Sequence, residues 1–246
     1  MTEMTPPDDG LINCARNTTR RIEQFSYGGA AYWVKRPETL KPRMRMQKGS
    51  PEAAFERERD ALRKLGPMGA PVPRLVVDLP GLIVVEDCGR DLLFHRRFKK
   101  DDALCDKFHD AGLALARLHG MGHTHGRPAL RDLCWRDGRV TVIDLERSHP
   151  SLDHRRGRAR DVVLLFINGL MAMQGPCAEL DALRDGYRAG DSANTWDDAL
   201  RWSRNLTWMA LLTRPLHLLS LPIREVRTLP VARDYFREQR RLRRAE

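Results

Sequence analysis

The stretch HGRPALRDLCWRDGRVTVIDLE, residues 125–146, puts a histidine, an arginine and two carboxylates into one short run: His125, Arg127, Asp132 and Asp144. A carboxylate can serve as a base or as a hard oxygen ligand for a divalent cation. A guanidinium can do neither, because it keeps its proton in proteins, but it can grip a phosphate through paired hydrogen bonds. His119, His123 and His125 invite a zinc reading. No cysteine or carboxylate completes such a ligand set there, and GMGHTHG reads as a loop, so the histidine-metal reading is set aside.

These residues need elements to hold them. RRIEQFSYGGAAYWVKRPE, residues 20–38, reads as a β-hairpin about Gly28-Gly29, where glycine supplies the positive φ of a tight turn, and Lys35 ends its second strand. SPEAAFERERDALRKLG, residues 50–66, is a helix: Ser50 caps it, Pro51 suits its first turn, Phe55, Leu62 and Leu65 share a face, and Gly66 stops it. Glu58 lies on that helix. Residues 71–89 give two short strands split by Pro80-Gly81, the second running into Glu86 and Asp87. Helical periods then dominate over 102–122, 159–173, 181–190 and 196–212. They are interrupted by GRVTVIDLE, a strand entered through an Arg-Asp-Gly turn and ended by Asp144. The stripe of Trp202, Trp208, Met209, Leu211 and Leu212 reads as helix packing. A sheet with one helix, followed by helices with a small β insertion, is α+β and not a doubly wound fold. We place a boundary at Gly89, giving a β-rich N-lobe over 1–89 and a helical C-lobe over 90–246 that contains the loop region 119–146 and a basic C-terminal tail.

Five features occur in fixed order: Lys35 at a strand end, Glu58 on the next helix, a strand into Glu86-Asp87, a helix into LARLHGMGHTHG, and an apolar strand ending at Asp144. Over residues 20–190 this set resembles the protein-kinase-like superfamily. The lack of a G-x-G-x-x-G loop before Lys35, the small C-lobe and the short path from Asp144 to the next helix are similar to the small atypical bacterial members. These are the lipopolysaccharide core kinases, acting on heptose or Kdo sugars, and the Bud32-like kinases. The resemblance implies a two-lobed kinase-like fold with ATP and Mg²⁺ as cofactors. It puts Lys35 on the α- and β-phosphates, oriented by Glu58, with Glu56 as the worse-spaced alternative. It puts Asp144 on the metal, Glu86 and Asp87 in a hinge whose backbone reads adenine, and Asp161 under the catalytic loop as a structural anchor.

In that family the loop runs His-x-Asp, then four residues, then Asn. Here His125 fits the start, Arg127 falls where the Asp is expected, and Asp132 falls where the Asn is, twelve residues before Asp144. Registering Leu130-Arg131-Asp132 as the triplet instead leaves too short a path to Asp144. The catalytic set is then His125, Arg127 and Asp132, and the metal set is Asp132 and Asp144. General-base help is worth about 10² to 10⁴ in rate, whereas phosphoryl transfer rests mainly on positioning and charge stabilisation. An arginine at the base position therefore leaves activity in play, with Asp132 able to double as base. The expected function is phosphotransfer to a lipopolysaccharide core sugar or a similar anionic small acceptor. A regulatory pseudokinase and a serine/threonine protein kinase are the alternatives.

The bulk numbers bound this reading. The 246 residues are 41% hydrophobic and 31% charged, enough to bury a core. The start, MTEMTPPDDG, lacks the basic and apolar regions of a secretory signal, and LTWMALLTRPLHLLSLPI (206–223) is too interrupted for a spanning helix. Five scattered cysteines without a CxxC suit a reducing compartment, so the expectation is cytoplasmic, with peripheral contact to the inner membrane as a further option. Net charge is +10 and uneven, with six Lys/Arg against one acid in 34–48, five Arg against one Asp in 147–160, and six Arg against three acids in 233–246. Such patches favour a phosphorylated small molecule, a glycolipid or an anionic membrane face. Without an aromatic-rich recognition motif, nucleic acid is disfavoured.

Overall fold

Period-two alternation sets the two faces of the first sheet. The computed structural model describes residues 8–38, 50–98, 102–148, 154–212 and 224–245. The strands are β1 (Ile22–Tyr27), β2 (Ala30–Lys35), β3 (Leu75–Leu79) and β4 (Leu82–Glu86), antiparallel in the order β1-β2-β4-β3. Register pairs Val34 with Val84 and Lys35 with Ile83. Val34, Val84, Val77 and Leu82 therefore face one way, onto Leu11 and Ala15 of α1 (Asp9–Asn17). Ile83 and Val85 face the other way, into the main core with Phe55, Leu62 and Leu65 of α2 (Pro51–Leu65). Lys35 shares this second face by alternation. The start of α2 follows its sequence, with Ser50 Oγ accepting from the Ala53 amide at 3.2 Å and Pro51 in the first turn. Arg59 and Arg63 of α2 both reach Asp78 on β3, strapping helix to sheet.

Beyond Gly89 a second antiparallel sheet, β5 (Arg90–Asp91), β6 (Leu133–Arg136) and β7 (Arg139–Val142), lies among helices. These are α3 (Leu92–Phe98), α4 (Leu104–Gly120), α5 (His154–Met173), α6 (Ala178–Gly190), α7 (Thr195–Trp202), α8 (Asn205–Leu212) and α9 (Arg224–Ala245). α4 and α6 pack backbone to backbone: a Cβ on Gly112 would meet the Leu183 carbonyl, and one on Gly186 the His109 carbonyl. Phe166 of α5, Trp196 of α7 and Tyr235 and Phe236 of α9 form an aromatic cluster, with Phe166 stacked on Tyr235 at 5.5 Å between centroids. The main core runs without a break from α2 and β4 through α4 and β7 to α9, so burial does not divide the chain at Gly89.

The architecture is α+β, with helices outnumbering strands. Three expectations change. The basic C-terminal tail is a helix whose Tyr235 and Phe236 are buried. The 196–212 helix is two helices parted at Ser203-Arg204. The expected stripe is packed only in part: Trp202 lies half-buried against the main core, whereas Trp208, Met209, Leu211 and Leu212 are exposed, and Leu206 and Ala210 are the buried residues of α8. The first seven residues, the basic run 39–48, residues 149–153 and 213–223 lie outside the described residues. Among the described residues, no helix is long and apolar enough to cross a membrane.

Candidate functional site

The hairpin β6–β7 explains why two acids twelve apart meet. Asp137 and Gly138 take φ of 49° and 77° at the tip, and Leu133 pairs with Val142 across the ladder. At the open end the Ile143 amide donates to the Asp132 carbonyl at 2.9 Å. Asp132 enters the hairpin and Asp144 leaves it, at the same edge. The Asp132 carboxyl is buried, and burial together with the neighbouring Asp144 charge pushes it up to about 6, against the pull of His125 and Arg131. Its Oδ2 accepts from the Ala129 amide at 2.9 Å. Asp144 holds a left-handed backbone, φ 64° and ψ 56°, uncommon for a residue with a side chain, and its carboxylate accepts no hydrogen bond among the described residues.

The loop before the hairpin is tied from below. Asp161 on α5 is fully buried and accepts from the amides of His125 at 2.6 Å and Gly126 at 3.1 Å. His119 Nε2 lies 3.4 Å from the same carboxylate, and its Nδ1 is 2.7 Å from the Tyr187 hydroxyl; burial holds this ring below its ordinary pKa. His125 Nε2 reaches the Ile143 carbonyl at 2.8 Å, one residue from Asp144. Gly126, at φ 94°, passes so close to the Arg147 carbonyl that a Cβ there would collide with it. These contacts join the 125–127 turn to the strand end that carries Asp144.

Lys35 and Glu58 meet across the first sheet. The Lys35 Nζ is 2.5 Å from Glu58 Oε1, with Glu58 buried on the apolar stripe of α2. Burial opposes the ammonium, but Glu58, Asp144 and Glu146 together outweigh it and hold the Lys35 pKa above its usual value. The cation ending β2 is therefore in the field of the Asp144 carboxylate, 109 positions later in the chain (144 − 35). Glu56, the alternative partner, pairs with Arg59 at 3.1 Å instead.

Glu146 went unassigned in the sequence, although its placement two residues after Asp144 was a signal. It sits on the short turn Leu145–Arg147, its Oε1 accepting from Arg21 Nη2 at 2.8 Å and its carbonyl from Arg57 Nε at 2.8 Å. Arg21 immediately precedes β1 and Arg57 lies on α2, so Glu146 fastens the entry to the first sheet and α2 to the Asp144 segment. Asn168 of α5, also unassigned, accepts from the Leu130 amide at 3.0 Å.

The linker acids have other work. Glu86 pairs with the exposed Arg74, with Arg74 Nε donating to Oε1 at 2.8 Å. Asp87 accepts from Trp33 Nε1 at 2.7 Å and Gln24 Nε2 at 3.1 Å. Their backbone amides donate to Arg74 O and Ala31 O, both at 3.1 Å. The sheet thus engages both amides, so an adenine read by this hinge would meet its other backbone groups. Arg127 is exposed, with no hydrogen bond or ion pair among the described residues.

Among the described residues, no group of three or more His, Cys, Asp or Glu forms a closed metal site. What exists is a pair, Asp132 and Asp144, whose mutual repulsion a cation would relieve. Magnesium is held in just this way, by one or two carboxylates with phosphate oxygens and waters completing the shell.

No family model matches the chain. It is 28% identical over 210 residues to an uncharacterised protein of Haemophilus influenzae, the alignment covering 81% of this chain and 84% of that one. The similarity therefore spans most of both chains.

Proposed function

We infer that this protein is a kinase-like phosphotransferase that uses ATP and Mg²⁺ and acts on a lipopolysaccharide core sugar or a similar anionic acceptor. The observation that carries the reading is the Lys35 ammonium, paired with Glu58 and set in the field of Asp144, whose neighbour is the buried Asp132 carboxyl. A triphosphate needs a fixed cation on its oxygens and a carboxylate-held metal, and this arrangement supplies both types of group. In this reading the first sheet with α2 and the helical remainder are the two lobes of a kinase-like fold. Asp132 and Asp144 would hold Mg²⁺, which when bound neutralises charge between the β- and γ-phosphates.

The chain's own residues orient the reactants. Lys35 fixes the nucleotide's phosphates. His125 and Asp161 hold the loop, and Asp132, ionised above its raised pKa, is within the site to accept the acceptor's hydroxyl proton. Arg127, exposed and free of an acid among the described residues, suits an acceptor that already bears a phosphate or carboxylate. That same substitution supports the second reading, a pseudokinase that binds nucleotide without transfer.

A thermal-shift titration with Mg²⁺ and ATP, followed by γ-phosphate release for wild type and Asp144→Ala, tests this. Stabilisation by the nucleotide and a release rate that falls at least 10²-fold in the variant, on the order of losing a general-base or metal contribution, are expected. Equal background rates in both, with binding retained, would leave the pseudokinase reading standing. No stabilisation would end both.

A further inference from the structure

The surface made by α8 and the outer side of α9 has no role in the nucleotide reading. We propose that it docks the protein onto an anionic lipid bilayer. α8, NLTWMALL, contains no charged residue. Leu206 and Ala210 face the body, while Trp208 is 69% exposed, Leu211 46% and Leu212 78%. One short helix thus presents an indole and two leucines to solvent on the side away from its own packing. An isolated exposed leucine means little, but a contiguous aromatic and aliphatic ridge does.

Arginines gather at the turn where this ridge begins. Arg240 of α9 donates to Ser203 Oγ at 2.5 Å and to the Leu200 carbonyl at 3.3 Å, tying α9 to the turn from which α8 starts. Burial, and then repulsion by Arg204, Arg237 and Arg244, pushes this guanidinium below its usual range, so the four cations crowd one edge. Arg204 and Arg244 have no ion pair among the described residues, and Arg237 has only Asp234 at 3.8 Å.

The charge selects the occupant. A second copy docked through this same face would bring a second set of the same cations to the contact, whereas an anionic surface would neutralise them. A bilayer with anionic headgroups matches both parts at once: the indole and leucines enter the boundary between headgroups and chains, and the guanidiniums take the phosphates while their stems stay in apolar surroundings. Penetration is shallow, since α8 has eight residues.

The test uses the full chain and vesicles of phosphatidylcholine, with or without phosphatidylglycerol. Co-sedimentation is expected with the anionic vesicles only, weakening as salt rises. Tryptophan emission should shift blue on binding in wild type, and markedly less in Trp208→Phe. Two double variants, Trp208→Ser/Leu212→Ser and Arg204→Glu/Arg244→Glu, should each lose roughly tenfold or more in vesicle affinity, with circular dichroism unchanged because all four side chains are on the surface. The proposal is overturned if wild type ignores anionic vesicles at low ionic strength, or if both variants bind as wild type does. A wild-type dimer that Leu212→Ser dissociates, with no vesicle binding, would give the face to a second copy and equally overturn it.

Discussion

At the residue scale, the site is a balance of unlike charges in a poorly solvated place. Lys35 keeps its proton because Glu58, Asp144 and Glu146 together outweigh its burial. For Asp132 the compensation from His125, Arg131 and the Ala129 amide falls short of its burial. Its carboxyl is raised from 3.8 to about 6, so the folded protein holds that proton more tightly than the unfolded chain. Stability from this group is complete below pH 3.8 and is lost as pH rises through about 6, the reverse of an ion-paired acid. The loss at neutral pH is on the order of 3 kcal/mol from a shift of about two units. Asp132→Asn removes the charge and keeps an oxygen for the Ala129 amide. It should therefore raise stability at neutral pH by about 1–3 kcal/mol in urea unfolding, with the gain vanishing below about pH 4. Magnesium with nucleotide should stabilise wild type more than the variant. A variant less stable than wild type at neutral pH would mean that Asp132 is not a strained acid.

At the element scale, the loop and hairpin are held together by backbone. Gly126→Ala introduces both an unfavourable φ and a collision with the Arg147 carbonyl, so relief requires moving the segment that carries Asp144. A loss of at least about 2 kcal/mol in stability is expected, along with most nucleotide binding. Gly138→Ala is the control: its φ is also positive, but nothing lies within 4 Å of the added Cβ, so about 1 kcal/mol and unchanged binding are expected. Comparing the two by urea melts and nucleotide thermal shift separates a local strain from a displaced site. Much of this was legible in the sequence. The glycine turn, the Ser50 cap and the apolar stripe of α2 carry strong local signals, and the Arg-Asp-Gly turn marked one strand of the hairpin. β6 was not seen because LCWR is four residues long and mixes a cysteine, a half-buried tryptophan and an exposed arginine. α1 was missed because its length is nine residues and only tertiary contact with Val34 and Val84 makes its apolar pair meaningful. Glu86 and Asp87 were assigned by position alone, and their hydrogen bonds depend on Trp33, Gln24 and Arg74, which no spacing rule connects to them.

At the scale of the whole molecule, the unbroken core sets what the C-terminal arginine-rich segment can be. Charge alone marked it as a tail, because its arginines outnumber the buried positions that interrupt them. Yet Phe236 is fully buried, edge-on to Phe166 at 6.0 Å and tilted against Trp196 at 6.3 Å. α9 thereby closes the same core that reaches α2 and the Glu58 helix face. Phe236→Ala should cost about 3–5 kcal/mol. Because the core is continuous, the loss should appear as one cooperative transition moved to lower denaturant, followed identically by Trp fluorescence and far-ultraviolet circular dichroism. Nucleotide added to that variant should raise the single midpoint, because the ligand and the mutated helix act on one folding unit although they occupy different parts of it. Two separated transitions, with the nucleotide moving only one of them, would instead divide the chain into independently folding lobes. That outcome would make the boundary expected at Gly89 an energetic one.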